Sequence, residues 1–266
     1  MNDICKICGS RSIPLAKAVI RGKYEIQYFS CSQCDFIQTE EPYWLEEAYQ
    51  SPINPTDIGY ISRNISLSNI TYSLLRGPFH QARRFIDYGG GYGMFARIMR
   101  DKGIDFRWQD EYCENLFAIG FEAHRDTNRN YDVLTSFEVF EHLLRPAEEL
   151  EKMLRYAPVV IFSTLLIPFP KISPPDWWYY GLEHGQHISL FSDRSLDALA
   201  DKYSLFRYSI GTSLHIFSAK PISRFLFRIF RNSEVVKMVN LLMRRPSLLD
   251  ADFQKIRAEI TADFTK

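Results

Sequence analysis

The sequence predicts an α/β fold in which helices cover both faces of a mostly parallel sheet, between a small cysteine-rich unit and a helical tail. Three observations indicate this architecture. An apolar run ends at Asp87 and leads into a glycine-rich turn and a helical pattern, the strand–turn–helix order of α/β folds. Residues 159–164 are almost wholly apolar, as expected for a strand that is covered on both faces. Two Cys-x-x-Cys pairs near the N-terminus define the small unit.

Composition limits the classes of function that the chain can serve. Its 266 residues suffice for one or two domains, and 46% of them are hydrophobic, enough for a sizeable core. Lys plus Arg number 32, as do Asp plus Glu, so the net charge gives no sign of a nucleic-acid partner. No basic segment leads into an apolar one near Met1, and no apolar stretch reaches the ~18 residues of a membrane span. These features predict a cytoplasmic protein.

Residues 1–40 predict a zinc ribbon. Two Cys-x-x-Cys pairs flank a 22-residue insert: Cys5 with Cys8, and Cys31 with Cys34. Each pair can form a tight knuckle, and four thiolates complete the closed tetrahedral shell of a structural Zn²⁺ site. The insert predicts a hairpin that turns near Gly22. A redox pair and unconnected cysteines are the competing interpretations.

The glycine turn has a spacing that discriminates between ligands. Asp87 is followed at alternate positions by Gly89, Gly91 and Gly93. A dinucleotide fingerprint needs a glycine five residues after its first glycine, where this chain has Met94. The acidic-x-Gly-x-Gly-x-Gly pattern instead resembles motif I of class I S-adenosylmethionine (SAM) dependent methyltransferases. A purely structural turn is the competing interpretation.

Three further residues are candidates for contact with such a cofactor. A strand predicted at 104–110 ends in Asp110, where a carboxylate can accept hydrogen bonds from both ribose hydroxyls. Glu111 is the alternative, and an ordinary loop acid is the competing interpretation. In the family that motif I resembles, the helix before the first strand often covers the cofactor. The resemblance therefore implies that Arg63 lies near the methionyl carboxylate of SAM; the other interpretation is a solvated helix residue.

The remaining elements follow from periodicity and from capping signals. Helices are expected at 43–49, within 59–80, at 95–102, from 113, from 146 and at 193–202, and strands at 119–122, 131–137, 205–210 and 214–219. Ser192 is a suitable N-cap for the helix at 193–202. The odd cysteine, Cys113, is expected to be a small buried residue.

Residues 176–191 are the candidate acceptor site. They include five aromatic residues, two carboxylates and two histidines beyond the carboxyl end of a predicted strand, where ligands bind in open α/β sheets. Methyl transfer requires the acceptor to lose a proton, and a histidine has a suitable pKa. His184 with Glu183 is the first choice for this base, and His187 is the second. Packing of the aromatic residues onto the domain is the competing interpretation.

Taken in order, these motifs resemble the zinc-containing sugar C-methyltransferases of bacterial polysaccharide and antibiotic pathways, which act on nucleotide-linked deoxy-keto sugars. The likeness covers roughly residues 5–220. It implies a Rossmann-like, seven-stranded sheet whose last strand is antiparallel, and a role for Glu183 and His184 in deprotonating the acceptor. It also implies that Glu141-His142 lies beside the cofactor, although a substrate-side role for this pair stays open. Methylation at carbon and at a hydroxyl oxygen are both compatible with the sequence.

The predicted organisation has four segments: a zinc ribbon at 1–40, a connector and lid helix at 41–80, a SAM-binding domain at 81–220, and a helical tail at 221–266. Between residues 221 and 245, six basic residues and one acid lie among bulky apolar residues. Such a tail could lie on an anionic membrane, pack on its own domain or contact a second subunit in a homodimer.

The sequence therefore predicts a SAM-dependent methyltransferase with a structural Zn²⁺ and a small sugar-type acceptor, either a sugar nucleotide or a glycan. The alternative is a catalytically inactive, methyltransferase-like binding protein that serves a partner. A nucleic-acid substrate is disfavoured because the chain is neutral and has no Asn-Pro-Pro-Tyr-like motif for a flipped base.

Overall fold

The computed structural model describes residues 4–49 and 57–263, which group into two compact units. The first unit is drawn from Met1–Pro55 and Ser136–Pro221, and the second from Thr56–Thr135 and Ile222–Lys266. The extended part of the predicted connector, at 50–56, lies outside the described residues. Within the described ranges, no helix combines the length and the apolar content that crossing a bilayer requires.

The ribbon hairpin opens the first unit. β1 (Ser12–Ile20) pairs with antiparallel β2 (Tyr24–Cys31), which confirms the hairpin predicted for the cysteine insert. Arg21 and Gly22 at its tip have φ angles of 53° and 63°. Three residues, 21–23, thus connect the strands, and the first two of them are left-handed.

The ribbon sheet takes in a strand from the candidate acceptor segment. β3 (Ile37–Thr39) pairs with β2 on one side and with β8 (Ser189–Leu190) on the other, in the order β1-β2-β3-β8. Ile37 and Leu190 are partners in register, and both are fully buried. The ribbon and the end of the 176–191 segment therefore share one sheet and one apolar core.

The rest of the first unit consists of three antiparallel strands and three helices. β7 (Val159–Ser163) pairs with β10 (Leu214–Ser218), which also pairs with β9 (Phe206–Ile210). The helices are α1 (Leu45–Ala48), α4 (Pro146–Tyr156) and α5 (Asp193–Lys202). α5 begins at the predicted N-cap, because the Ser192 hydroxyl accepts a hydrogen bond from the Ser195 amide at 3.0 Å.

A parallel group of strands forms the centre of the second unit. β4 (Phe85–Tyr88) pairs with β5 (Phe106–Gln109) and with β6 (Val133–Ser136). α2 (Tyr60–Arg76) precedes β4, and α3 (Met94–Asp101) follows it. Because the strands are parallel, the loops after β4 and β5 leave the same edge, where ligands bind in such sheets.

Two predicted elements of the second unit are wrong. The helix expected from Cys113 is a series of bends, and the strand expected at 119–122 is reduced to one parallel bridge between Trp108 and Glu122. Side-chain hydrogen bonds replace regular structure there, since the Asn115 carbonyl caps the Ala118 amide at 2.9 Å. Gly120 then turns the chain with a φ of 86°. With only a bridge at this position, the described strands do not include the seventh strand that the family resemblance implies.

The tail is part of the second unit. It forms three helices: α6 (Arg224–Phe230), α7 (Ser233–Leu242) and α8 (Leu249–Asp263). The Ser73 hydroxyl of α2 donates to the Phe230 carbonyl at 2.8 Å, and α8 is fastened to α3 by the ion pair of Arg100 with Asp252 at 2.7 Å. Both members of this pair are buried. The tail therefore packs on its own unit, one of the three alternatives predicted for it.

The Arg100–Asp252 pair gives a test of this packing. Asp252→Asn should lower the free energy of unfolding by about 3 kcal/mol, because the buried Arg100 guanidinium loses its buried counter-ion and keeps only the exposed Asp105. Burial alone would raise the pKa of Asp252, but hydrogen bonds from Arg100 outweigh it and the pKa is lowered. The pair's contribution should thus persist above the ordinary carboxyl pKa of about 4 and be lost as the pH falls below it. Urea unfolding against pH measures both effects; the exposed control Asp250→Asn should change stability by less than about 0.5 kcal/mol.

Candidate functional site

The turn after β4 is built from residues in left-handed conformations. Gly89, Gly91 and Gly93 have φ angles of 67°, 52° and 86°. Side chains with a Cβ rarely adopt such angles, so glycine is required at these positions. Beside Gly91 the space is open, with the Tyr60 hydroxyl 3.6 Å from where a Cβ would stand. Backbone can therefore approach a ligand closely at this point.

Asp87 forms the buried end of this turn. Its side chain is 1% exposed, and Oδ1 accepts a hydrogen bond from the Thr135 hydroxyl at 2.8 Å. Burial raises the pKa of Asp87 to about 7. Oδ2 has no hydrogen-bond partner among the described residues, and a Cβ at Gly90 would come within 2.6 Å of it. The carboxylate thus requires a residue without a side chain directly above it.

Asp110 connects the glycine turn to the loop after β5. One carboxylate oxygen accepts from the Gly91 amide at 2.9 Å, and the other accepts from the Tyr112 and Cys113 amides at 2.8 Å each. A carboxylate has about four lone-pair positions, so about one remains for a further donor such as a ribose hydroxyl. Glu111, the alternative candidate, is exposed.

Arg63 lies on the first turns of α2 and is already engaged by a carboxylate. Its guanidinium forms two hydrogen bonds to Asp57, at 2.8 and 2.7 Å. Asp57 could not be predicted as this partner, because a residue six positions earlier and outside the helix leaves no periodic signal in the sequence. Burial raises the pKa of the neighbouring Tyr60 to about 12, so its hydroxyl stays a neutral donor.

These residues of the second unit suit SAM in their chemistry. The turn offers backbone close to a ligand, Asp110 offers an acceptor position for a ribose hydroxyl, and the buried Asp87 has an oxygen without a partner among the described residues. Of the predicted cofactor residues, Asp87, the three glycines and Asp110 are brought together by direct hydrogen bonds or adjacent backbone.

A cluster of imidazoles lies in the first unit. The His187 ring is 5.0 Å from the His142 ring and 4.7 Å from the His184 ring, measured between centroids. His142 ends a single helical turn (Phe140–His142) that follows β6, whereas the other two belong to the candidate acceptor segment. The structure therefore brings both predicted loop histidines together with the Glu141-His142 pair.

Backbone groups fix the proton positions on these rings. His187 Nδ1 is 2.6 Å from the Tyr179 carbonyl, and His142 Nδ1 is 3.1 Å from the Gln186 carbonyl. A carbonyl only accepts, so both Nδ1 atoms carry the proton and each Nε2 has a lone pair. His184 is the reverse, since its Nδ1 accepts from the Gln186 amide at 3.1 Å. Its neutral ring therefore has the proton on Nε2.

Burial keeps these imidazoles neutral. It lowers the pKa of His142 to about 4, and it lowers the pKa of His187 well below the ordinary value. Burial also lowers the pKa of His184, although the exposed Glu183 carboxylate offsets part of that shift. His184 stands over Gly181, where an added Cβ would come within 2.3 Å of the ring. Gly181 thus has to be glycine for this ring position.

Glu141 is the buried acid of the same cluster. Its side chain is 0% exposed, and burial together with the charge of Glu138 raises its pKa to about 8. The Tyr179 and Thr164 hydroxyls are near enough to oppose this shift, yet neither completes a hydrogen bond to a carboxylate oxygen. Nothing in the sequence distinguishes Tyr179 from the other four aromatic residues of the 176–191 segment.

The four paired cysteines converge as predicted. Cys5 Sγ lies 3.6 Å from Cys34 Sγ, and Cys8 Sγ lies 3.5 Å from Cys31 Sγ. All four sulfurs lie within 4.8 Å of one another, close to the ~3.8 Å separation of thiolates around one tetrahedral Zn²⁺. The arrangement could hold such an ion. Cys113 is remote from it in sequence, and burial raises the pKa of its thiol to about 11.

Comparison with known proteins gives a family for most of this region. Residues 63–205, more than half of the chain, match the family described as "Methyltransferase domain". A search of curated proteins finds no match.

Solved structures with a similar backbone have low sequence identity. An O-methyltransferase family protein from Burkholderia thailandensis is 13% identical with a TM-score of 0.45, over 67% of this chain and 63% of that one. Human N-acetylserotonin methyltransferase, solved with SAM, is 11% identical with a TM-score of 0.41, over 67% and 66%. The plantazolicin methyltransferase BpumL, solved with SAH, is 12% identical with a TM-score of 0.42, over 66% and 93%. The chain spans less than two thirds of the first of these proteins.

The family match includes the glycine turn, Asp110 and all three clustered histidines. The chain therefore belongs to the methyltransferase-domain family, and residues 63–205 are its methyltransferase domain.

Proposed function

We propose that the whole protein transfers a methyl group from SAM to a small, sugar-type acceptor. The observation that carries this proposal is the Asp87–Gly93 turn, closed by Asp110, within a region that matches methyltransferase domains. The acceptor class is supported by the resemblance of the ordered motifs to bacterial sugar methyltransferases of polysaccharide and antibiotic pathways. A screen of sugar nucleotides with labelled SAM tests it, and transfer to none of them would remove this class.

The second unit supplies the cofactor residues. Asp110, with Glu111 as the alternative, accepts from the ribose hydroxyls, and Gly89, Gly91 and Gly93 let the backbone approach the ligand. Arg63 would meet the methionyl carboxylate by exchanging its Asp57 partner for another carboxylate. When bound, SAM supplies a methyl group on a positively charged sulfur, which leaves as a neutral thioether.

A loop histidine takes the proton of the acceptor. As the methyl group bonds to an acceptor hydroxyl oxygen, or to a carbon beside a keto group, the acceptor's O–H or C–H bond breaks and its proton passes to imidazole. His187 can accept this proton at Nε2 directly. His184 would first have to give up its bond from Gln186, although Glu183 favours its protonated form. The hydrogen bonds thus favour His187 as the base over His184, which the sequence ranks first.

The four-cysteine site is proposed to hold structural Zn²⁺. The short sulfur–sulfur distances support this assignment. So do the amides of Ile7 and Gln33, which donate to the Cys5 and Cys31 sulfurs at 3.4 and 3.3 Å and would stabilise thiolates. A closed shell of four thiolates leaves no open position, so the ion would stabilise the ribbon without taking part in the chemistry.

Membrane contact through the tail and a homodimer stay predictions. Apolar side chains of α7, including Leu241 at 63% and Leu242 at 71%, are exposed, and basic residues lie nearby in sequence. Co-sedimentation with anionic vesicles and sedimentation velocity would test the two ideas separately.

Asp110 can be tested by calorimetric titration with SAM. Asp110→Asn should weaken SAM binding by about 10- to 100-fold, because each hydrogen bond to a charged group contributes roughly 1.5–3 kcal/mol. Glu111→Gln should bind SAM like the unchanged protein. If Glu111→Gln alone weakens binding, the ribose partner is Glu111. If SAM gives no heat of binding and no thermal shift with the unchanged protein, the alternative of a catalytically inactive binding protein is favoured.

The base can be tested in the same preparations once an acceptor is known. His187→Ala should lower kcat by about 10²- to 10⁴-fold, the usual contribution of general-base catalysis, with little change in the Kd of SAM. His184→Ala should lower kcat less, and the exposed His124→Ala is the matched control. A larger loss of kcat in His184→Ala than in His187→Ala would instead support His184, assisted by Glu183, as the base.

Zinc analysis tests the ribbon. Protein dialysed against EDTA should retain about one Zn²⁺ per chain, because four thiolates bind the ion tightly. Cys34→Ser should lose this ion and unfold at a lower temperature, since metal binding supplies folding energy to so small a unit. Cys113→Ser should keep both properties. Retention of zinc by Cys34→Ser would contradict the four-cysteine assignment.

A further inference from the structure

The buried acid of the histidine cluster has no hydrogen-bond partner in the described part of the chain. Glu141 is 0% exposed, and neither Oε1 nor Oε2 is hydrogen-bonded. A buried carboxylate without partners is strongly unfavourable. Glu138, held at a φ of 55°, adds a second carboxylate close enough to repel charge on Glu141. Among the described residues, no cation contacts Glu141 to stabilise its ionised form, which a bound metal ion would do.

Two imidazoles share this site with the carboxylate. One oxygen of Glu141 and one nitrogen each of His142 and His187 lie within 4.8 Å of one another. Donors bound to one ion at about 2.1 Å lie ~3.0–3.5 Å apart, so an ion would draw the three donor atoms together by at most about 1.3–1.8 Å. His142 and His187 are both half-buried residues.

The hydrogen bonds of the rings are those of metal-binding histidines. His142 and His187 each donate Nδ1–H to a backbone carbonyl, which fixes the tautomer and leaves Nε2 as the donor to an ion. Metal-ligating histidines are oriented by this kind of bond on the other ring nitrogen. His184 has the opposite tautomer and is not part of the donor set.

We propose that Glu141, His142 and His187 bind a divalent first-row transition-metal ion that keeps open coordination positions. Two imidazoles and one carboxylate form a donor set typical of Fe²⁺, Mn²⁺ or Zn²⁺ sites with exchangeable ligands. Mg²⁺ fits poorly, because it prefers six oxygen donors. The site differs from the four-cysteine site in both donor chemistry and coordination number.

The metal site deepens the proposed function, and its expected effect on acceptor deprotonation rests on that function. An ion on Nε2 of His187 would prevent that atom from taking the acceptor's proton. The ion would instead acidify a hydroxyl group coordinated in an open position, and the proton would pass to solvent. The loss of activity expected for His187→Ala would then come from loss of the ion.

Manganese binding tests the site without SAM or acceptor. Zinc-loaded, EDTA-dialysed protein titrated with MnCl₂ should remove the free-ion electron paramagnetic resonance signal at about one ion per chain, and Mg²⁺ should compete poorly. Glu141→Gln and His187→Ala should each weaken binding by about 100-fold or more, since even outer partners of metal ligands contribute 10- to 100-fold. Glu148→Gln and His124→Ala, both at exposed positions, should bind like the unchanged protein.

A second measurement uses only the unchanged protein, so it does not depend on the folding of variants. Spin-echo spectra of bound Mn²⁺ should show modulation from coordinated imidazole nitrogen. Absence of saturable binding, equal binding by all variants, or no nitrogen modulation would each overturn the metal site. Because SAM titration is separate, a protein that binds SAM but no Mn²⁺ would retain the proposed function and lose only this inference.

Discussion

The Asp110 carboxylate accepts hydrogen bonds from three backbone amides, and the geometry of the cofactor residues depends on it. One of these amides is that of Gly91, in the middle of the turn after β4; the other two follow Asp110 itself. The glycines permit the left-handed backbone but do not select one conformation, because glycine is also free in the unfolded chain. Asp110 contributes to that selection, together with the Gln109 carbonyl, which accepts from the Gly89 and Gly90 amides at 2.8 and 3.1 Å. A residue expected to bind ribose thus also helps to fix the shape of the loop that approaches the ligand.

Backbone carbonyls have a comparable effect in the first unit. Three histidines lie together, yet their chemistry differs because His142 and His187 donate at Nδ1 whereas His184 accepts there. Residue types and spacing cannot reveal this difference, since it depends on which backbone atom each ring meets. Both proposed roles of His187, as a base and as a metal ligand, use the lone pair on Nε2. The ring therefore cannot serve both roles at the same time.

Much of this structure could be predicted from local signals. The cysteine hairpin, the strand before Asp87, and the helix capped by Ser192 are all present, because turn, periodicity and capping chemistry act over a few residues. The segment around 113–122 could not be predicted, since Asn115 and Gly120 replace a helix and a strand with side-chain hydrogen bonds and a turn. The Glu141 cluster was only partly foreseen, because its isolation from hydrogen-bond partners is a property of tertiary burial.

The pairing of β3 with β8 connects the four-cysteine ribbon to the segment that carries His184 and His187. Ser192, just after β8, donates to the Cys34 carbonyl at 2.7 Å, and Asp35 of the second knuckle pairs with Arg194 at 2.9 Å. His187 stands two residues before β8. These elements should open and close as one cooperative unit rather than separately. If Zn²⁺ fills the four-cysteine site as proposed, its removal would release the imidazoles from their fixed positions and so abolish the proposed proton transfer.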